Sequence, residues 1–463
     1  MAVLILVFCA FSAEAITFSI GENFTGSTFS QSGFFPPDTM GGVGNDHIVA
    51  LINGRFAVWD KTGSLQQAKS LNQFWIDAGE TPAGSYAFDP RVLYDNGTDR
   101  WFATSVDNAR GANNFLVAVS DTSDPTLGWT GFKIDSDTDN THWADFPTMG
   151  IDDEGLYISA NMFPISSGGV ETTLLVLPKA DLLAGSVAGK TLFENNIAGF
   201  SAQPIVDLDN TGLPAQILSA FPGSFRRTDI TDTINAPALE TKAFISVTPK
   251  SAPPTADQPG PKDNIHTGDD RLSSNVVLQD GSVWGVQSVE IDGRSALRWF
   301  EIINTNHAGF EIQAVNQEGF IEDSDLSFYY GSIAVNEFGQ VVIGFSGSGA
   351  DQFVSSYAVV GETVDGMTAF SDTTLLKAGL DDYERLDGSG RNRWGDYSAT
   401  VLDPTDPYTF WTFQEFVYAE NIWAVQITEI NTIPIPMTAI LFASGLIGLF
   451  GLRRKKVPAS HSS

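Results

Sequence analysis

The chain has 463 residues, with 56 acidic side chains against 25 Lys and Arg, and its formal net charge is −31. This acidity excludes nucleic acid and anionic membrane surfaces as partners, because both repel a polyanion. The single cysteine, Cys9, excludes a disulfide-stabilised fold, so stability has to come from apolar burial.

The first fifteen residues, MAVLILVFCAFSAEA, are almost wholly apolar and close on an Ala-x-Ala pattern formed by Ala13 and Ala15. A short apolar stretch before such a pattern predicts a secretory signal peptide over residues 1–15. A buried N-terminal strand or helix is the alternative interpretation. Removal of the peptide would leave the exported chain without any cysteine.

Residues 16–430 are predicted to form one all-β domain. A single pattern recurs along them: a polar or Pro-containing lead, a short apolar strand, a turn rich in Asp, Asn or Gly, and a second apolar strand. The pattern occurs at residues 36–54, 89–105, 145–161, 203–221, 273–288, 329–346 and 394–413. Recurrence at this spacing indicates a repeat architecture rather than unrelated hairpins.

A third apolar segment follows each hairpin, such as RFAVW at 55–59 and IWAVQI at 422–427. Units of three or four short strands predict a seven-bladed β-propeller, with two β-sandwich domains as the alternative. The last unit lacks a clear fourth strand, and we expect residues 16–24, ITFSIGENF, to complete it against residues 422–427. That pairing would close the ring and remove the exposed strand edges.

The segments RWGDYSATVLDPTDPYTFWTFQEF, PPDTMGGVG and FAVWDKTG resemble those of bacterial secreted β-propeller proteins. The resemblance covers most of residues 36–427. It implies a fold and a repeat register, and it implies no particular reaction.

The stretch DSDTDNTHWAD at 135–145 carries alternating carboxylates, Asp135, Asp137 and Asp139. Alternating oxygen ligands are typical of calcium loops, so calcium is the one cofactor that the sequence suggests, with Asp145 as a further ligand candidate. The set is incomplete, because Asn140 replaces the turn glycine and Phe146 stands where a bidentate acid belongs. A polar loop between blades is the alternative.

Four carboxylates recur near the starts of the predicted units: Asp38, Asp89, Asp145 and Asp396. In a propeller the first strand of each blade lines the channel, so these side chains are candidates for one channel mouth, where they would hold a cation or a polar ligand. They do not share one repeat register, and some of them could cap turns instead. A pair of carboxyl groups at a suitable separation could also catalyse glycoside hydrolysis.

The aromatic residues divide into two predicted classes. Trp101, Trp284 and Trp411 fall on the second strand of their units, which predicts packing between blades. Trp75 and Trp143 are predicted to lie in loops, which makes them candidates for stacking against carbohydrate.

Residues 431–456 form a distinct tail, followed by a short polar end at 457–463. Residues 430–452 carry no charge, and a helix of that length is long enough to cross a bilayer. The basic residues that follow, Arg453, Arg454, Lys455 and Lys456, favour the cytoplasmic side. The tail is therefore predicted to be one transmembrane helix.

The order of prolines, apolar span and basic cluster in this tail resembles the PEP-CTERM family of sorting tails of Gram-negative bacteria. Pro434 and Pro436 match the two prolines of that motif, and Ile435 between them brings the tail closer to the Val-Pro-Leu-Pro-Ala variant. Met437 replaces the Ala of that variant. The resemblance implies recognition by an exosortase, a membrane protease, and export to the cell surface or the extracellular matrix.

Together these features predict an exported, surface-associated or matrix-associated β-propeller, anchored in the membrane at least during transit. Its expected role is binding or structure in the envelope or exopolysaccharide layer, with polysaccharide or other surface proteins as partners. The alternative is a secreted hydrolase of the glycosidase type that uses the carboxylates at the channel mouth.

Overall fold

A computed structural model of the chain describes residues 16–195, 199–209, 212–307 and 310–433, with the side chains of 304–313 left undescribed. The predicted signal peptide, with Ala13 and Ala15, lies outside these ranges. So does the predicted sorting motif from Pro434 to Lys456. Among the residues that are described, no helix is both long and apolar enough to span a membrane.

The described chain is built almost entirely of strands. In chain order they are β1 (Phe18–Thr28), β2 (Met40–Val43), β3 (His47–Ile52), β4 (Arg55–Asp60), β5 (Leu65–Lys69), β6 (Ala87–Asp95), β7 (Arg100–Asp107), β8 (Asn114–Ser120), β9 (Trp129–Asp135), β10 (His142–Ile151), β11 (Gly155–Pro164), β12 (Glu171–Pro178), β13 (Thr191–Phe193), β14 (Phe200–Asp207), β15 (Ala215–Phe221), β16 (Ser224–Thr231), β17 (Ala238–Ser246), β18 (Ile265–His266), β19 (Val276–Gln279), β20 (Ser282–Ile291), β21 (Arg294–His307), β22 (Phe310–Ile321), β23 (Leu326–Val335), β24 (Gln340–Gly349), β25 (Gln352–Val364), β26 (Met367–Phe370), β27 (Thr374–Lys377), β28 (Asn392–Arg393), β29 (Ala399–Asp403), β30 (Asp406–Ala419) and β31 (Ile422–Thr432). The described helices are short: α1 (Phe29–Ser32), α2 (Leu71–Asp77) and α3 (Lys179–Leu183).

Consecutive strands pair as antiparallel meanders, as the recurring hairpins predicted. Strands β2 to β5, β6 to β9 and β10 to β13 each form a four-stranded sheet. Strands β23 to β26 form another, with β27 added on β25. The meanders β14 to β17 and β19 to β22 merge into one eight-stranded sheet through the parallel pair β14–β19. The turns between paired strands carry the Asp, Asn and Gly residues that a tight reversal needs.

The last sheet joins the two ends of the described chain. Its strand order is β29, β30, β31 and β1, and β1 pairs antiparallel with β31 from Phe18 opposite Thr432 to Thr28 opposite Ala424. Side chains strengthen this pairing, because Thr428 Oγ1 donates a hydrogen bond of 2.9 Å to Asn23 Oδ1. The prediction that residues 16–24 complete the last sheet is confirmed, but the register differs from the expected one. Phe18 to Phe24 lie opposite Thr432 to Ile427, and Thr28 lies opposite Ala424.

The first strands of the sheets contact one another in a closed sequence. Strand β2 contacts β6, and the contacts continue through β10, β14, β19, β23 and β29, which contacts β2 again. This circular order gives a β-propeller-like arrangement, whereas two separate β-sandwiches would break the sequence of contacts. The predicted packing tryptophans Trp101, Trp284 and Trp411 are buried between the sheets, which confirms their structural role.

Several first strands carry a bulge at the same point. Register shifts occur at Phe88/Arg91, Asp145/Thr148, Phe200/Gln203 and Tyr329/Ser332. A residue inside each of these four bulges has a positive φ: Asp89, Phe146, Ser201 and Tyr330. A bulge bends its strand and redirects side chains, so these residues converge on one end of the ring.

Two long connecting segments cover that end of the ring. Residues 247–275 follow β17, and residues 378–398 follow β27. They meet where β18 pairs in parallel with β28. Asn392 Nδ2 donates to Asp263 O, and Gln258 Nε2 donates to Tyr383 O, both at 2.8 Å. These contacts hold the two segments together as the rim of a cavity.

Candidate functional site

A cavity of about 380 Å³ opens at the covered end of the ring. Its wall combines strand starts with the two connecting segments. The charged and polar lining includes Asp145, Asp269, Asp396, Arg271, Arg391, Arg393, His266 and Tyr330. The aromatic lining is Phe146, Phe163 and Phe200. A concave site with a few convergent polar groups and an aromatic wall is the usual form of a small-ligand site.

The structure brings the four carboxylates of the predicted channel mouth together. Asp145 and Asp396 line the cavity, whereas Asp38 and Asp89 lie deeper and are buried. Asn53 connects the deeper pair, because its Nδ2 donates to Asp38 Oδ2 at 2.7 Å and its Oδ1 accepts from Asp89 N at 2.8 Å. The bulges explain why Asp89 and Asp145 differ in repeat register. Asp89 is the positive-φ residue of the bulge in β6, and Phe146, the residue after Asp145, holds the same position in β10.

Burial and mutual repulsion change the ionisation of this cluster. Burial raises the pKa of Asp145 well above its ordinary value, and the charges of Asp89 and Asp396 raise it further. Burial likewise raises the pKa of Asp38, with added repulsion from Asp396 and Asp89. Burial also raises the pKa of Asp89. Two like charges in a dry site cannot both persist, so this cluster retains protons at a pH where ordinary aspartates have lost theirs.

The buried carboxyl groups of this cluster differ in their hydrogen-bond partners. Asp38 Oδ1 is buried without a donor, and Asp38 is within hydrogen-bonding reach of Asp89. Asp89 also accepts from Phe146 N at 3.0 Å and is within reach of Asp145. The pKa values of Asp38 and Asp145 are raised further than that of Asp89, so these two carboxyl groups keep a proton more readily than Asp89 does.

Arginines balance the carboxylates that face the cavity. Arg393 Nη2 donates to both carboxylate oxygens of Asp396 at 2.6 Å, and Arg271 Nη2 donates to Asp269 Oδ2 at 2.6 Å. The Arg271 guanidinium also lies over the rings of Phe146 and Phe200, at 4.7 and 4.8 Å. Burial, together with the neighbouring arginine charges, lowers the pKa of His266, so this imidazole is neutral at pH 7. The cavity wall thus offers charged donors, a neutral imidazole and, at Asp145, a carboxyl group of raised pKa.

Beneath the cavity, Arg91 fills the space between the sheets. Its Nε donates to Pro147 O at 2.8 Å, and its Nη1 donates to Ser273 O at 3.0 Å. The guanidinium lies 3.5 Å from the ring centroid of Tyr397, whose hydroxyl donates to Pro90 O at 3.0 Å. Both side chains are fully buried, and together they close the floor of the cavity.

The alternating carboxylates predicted to bind calcium do not assemble a site. Asp137 Oδ2 accepts from the backbone N–H groups of Thr141 and His142, at 2.7 Å each, and Asp139 Oδ1 accepts from Thr141 Oγ1. Asp135 Oδ1 accepts from Asp137 N. Within the described ranges, no group of three His, Cys, Asp or Glu is placed to hold a metal ion. These carboxylates cap a turn, and Asp145 belongs to the cavity cluster instead.

Both tryptophans proposed for carbohydrate stacking were wrongly placed in loops. Trp75 lies in α2 and is fully buried, and its Nε1 donates to Ser105 Oγ at 3.2 Å. The helix forms because Ser70 caps it by accepting from Gln73 N, a signal that the sequence reading missed. Trp143 lies in β10 rather than in a loop, is partly exposed, and packs on Phe163 with ring centroids 5.7 Å apart.

The arginines of the cavity and His266 were not predicted from the sequence as site residues. They come from the two connecting segments, whose meeting point is a tertiary property. The sequence contains one indication of these residues. Lys and Arg number only 25 in the chain, so two arginines as close as Arg391 and Arg393 are unusual in it.

No protein-family model matches the chain, and no curated protein matches it. Among solved structures, it is similar to the Trypanosoma rangeli sialidase in complex with the inhibitor DANA, at 11% identity and a TM-score of 0.35. That match covers 96% of this chain and 65% of the sialidase, just under two thirds of its length.

Two further structures show similarity of the same strength. An endo-arabinase from Bacteroides thetaiotaomicron has 13% identity and a TM-score of 0.33, with 65% of this chain and 97% of that chain covered. The α-L-arabinofuranosidase of Podospora anserina in complex with cellotriose has 9% identity and a TM-score of 0.34, with 73% and 91% covered. At these TM-scores and identities the similarities support no argument about the fold, and the description of the fold rests on the strand pairing.

Proposed function

We propose that the protein is an exported, seven-bladed β-propeller that binds carbohydrate in the cavity at the covered end of its ring. The blades are the meanders that begin at β2, β6, β10, β14, β19, β23 and β29, the last of them completed by β1. Export rests on the sequence alone, through the signal peptide and the exosortase-type tail. They support the proposal that the protein lies at the surface or in the matrix of a Gram-negative bacterium.

The side chains of the cavity wall are the observation that supports carbohydrate binding. Charged side chains that are held in pairs, such as Arg393 with Asp396, can bind neighbouring hydroxyl groups through two directed hydrogen bonds. Phe163 and Phe200 offer ring faces to the apolar side of a sugar. A volume of about 380 Å³ accommodates a ligand of the size of one or a few sugar units.

Isothermal titration calorimetry with neutral and acidic oligosaccharides tests this proposal. Arg271→Gln removes a charged donor and the cation over two cavity rings, and it is expected to lower affinity at least tenfold. Arg226→Gln is the matched control, because Arg226 lies on β16, away from the cavity, and it should leave affinity unchanged. Equal binding by both variants, or no binding by the wild-type protein, contradicts the proposal.

A second candidate function is glycoside hydrolysis, and the position of Asp145 and Asp396 on the wall of one cavity favours it. A carboxyl that keeps its proton through burial, beside a second carboxylate, is the arrangement in which one group acts as an acid and the other as a base or nucleophile. Asp145 would protonate the leaving oxygen. Asp396, whose two carboxylate oxygens accept from Arg393 Nη2, would serve as the base or nucleophile.

Release of reducing ends from a bound oligosaccharide would support hydrolysis, and Asp145→Asn should abolish this release while the oligosaccharide still binds. If the wild-type protein binds the oligosaccharide without releasing reducing ends, the result supports binding and contradicts hydrolysis.

A further inference from the structure

A continuous line of aromatic rings leads away from the cavity across neighbouring sheets. This aromatic row consists of Phe34, Tyr86, Phe88, Trp143, Phe163 and Phe200. Successive ring centroids are 5.4, 5.8, 6.3, 5.7 and 6.1 Å apart. The last two members line the cavity itself. The row therefore joins the cavity to the outer surface near the start of β2.

The row is an exposed surface, since only one of its rings is buried. Tyr86 and Phe200 are each 38% exposed, and Phe34, Trp143 and Phe163 are partly exposed. Phe88 is 7% exposed and supports the rings on either side of it. Single exposed aromatics are common on proteins, but a contiguous line of them that ends in a pocket marks a binding surface.

We propose that the aromatic row is an extended platform for a polysaccharide chain, one end of which occupies the cavity. Successive sugar units would place their apolar faces on the rings and turn their hydroxyl groups to water or to neighbouring polar side chains. This inference rests on the proposed carbohydrate binding and adds that the ligand is a chain longer than the cavity.

The surroundings of the row favour a polysaccharide over other long ligands. A net charge of −31 opposes nucleic acid, which needs a basic track as well as rings. A peptide added as a β-strand needs an exposed strand edge, whereas the row crosses the ends of β6, β10, β11 and β14. An extended polymer with both apolar faces and hydroxyl groups suits a row of rings that ends in a polar cavity.

The test is a size series of cellulose, β-1,3-glucan and polygalacturonate oligosaccharides, from the disaccharide upward, titrated into the wild-type protein. Affinity for the chain that binds is expected to rise with chain length until the row is covered. Tyr86→Ala and Trp143→Ala should each weaken binding of the long oligosaccharide at least tenfold and leave binding of the short one unchanged. Tyr86→Phe, which keeps the ring, should bind as the wild type does.

Phe338→Ala is the control for loss of an exposed aromatic residue, because Phe338 is 47% exposed and belongs to no part of the row. Its affinity should match that of the wild type. Melting temperatures within a few degrees of the wild type would show that each variant is folded, and Tyr86→Ala carries the test if Trp143→Ala unfolds.

Affinity that does not depend on chain length, or equal losses for short and long oligosaccharides, overturns the platform and leaves the cavity site standing. Absence of binding across the whole series overturns both proposals. Capture of an unstructured peptide on the row, lost in Tyr86→Ala, would assign the surface to a protein ligand and also overturn the platform.

Discussion

Replacement of Arg91 by methionine tests whether the closed floor of the cavity holds the ring together. Arg91→Met keeps most of the side-chain volume, so it leaves little empty space. It removes the donors to Pro147 O and Ser273 O and the cation that lies 3.5 Å from the Tyr397 ring centroid. These partners belong to different parts of the ring, so the loss would be felt across several sheets.

The expected loss of stability is about 3 kcal/mol. Two buried carbonyl groups left without donors cost about 3 kcal/mol together, taking a low value for each. Loss of a desolvated cation–π contact costs about 2 kcal/mol. About 2 kcal/mol is regained because the buried guanidinium, whose Nη2 has no hydrogen-bond partner, no longer has to be desolvated.

Urea unfolding followed by tryptophan fluorescence measures this change. Arg110→Met is the matched control, because Arg110 is exposed, and its free energy of unfolding should stay within about 0.5 kcal/mol of the wild-type value. A loss below about 1 kcal/mol for Arg91→Met, or a gain in stability, would show that the contacts of Arg91 do not stabilise the ring. A buried ion can be replaced without loss of stability only if its contacts contribute no more than its desolvation costs.

Three further results are expected. Burial raises the pKa of Glu415 to about 8 from an ordinary 4.5, so its contribution to stability is full below pH 4.5 and is lost as the pH rises through 8, by at most about 5 kcal/mol. Glu415→Gln should therefore flatten the decline of the urea midpoint between pH 5 and 9, and an unchanged decline would disprove this origin. Deletion of residues 16–28 exposes the edge of β31 and should produce oligomers in size-exclusion chromatography, whereas a stable monomer would show that the closing strand is dispensable. Asp137→Asn should leave equilibrium dialysis of calcium unchanged, because Asp137 already accepts two backbone N–H groups; a calcium stoichiometry that falls in this variant would restore the metal site.

Local sequence signals were sufficient to predict the strands and the closure of the ring. For example, residues 95–99 form a polar turn between two apolar runs. A pattern of this kind depends only on residues that are neighbours in the sequence. The free apolar segment at 16–24 had to pair somewhere, and the last unit lacked a strand. Placement of Asp145 and Asp396 at one mouth followed from the topology, since the first strands of all sheets begin at the same end.

The remainder of the site depends on tertiary structure. Arg271 and Arg393 come from segments about 120 positions apart, which meet where β18 pairs with β28. No local sequence pattern predicts that pairing. The raised pKa of Asp145 is also a product of assembly, because burial and the charge of Asp396 arise only when the ring closes. Trp75 was misplaced because a seven-residue helix has too few turns to show a clear apolar period.

Hydrogen–deuterium exchange shows where on the protein an oligosaccharide binds. It is measured on the wild-type protein with and without the oligosaccharide that binds best in the titrations. Slower exchange is expected at 266–271 and 391–396, the two segments that form the cavity rim. Because the hairpin turns at 95–99 and 336–340 lie at the other end of their strands, they should exchange at the same rate in both samples. Protection of those turns alone, or protection nowhere, would contradict a carbohydrate site in this cavity.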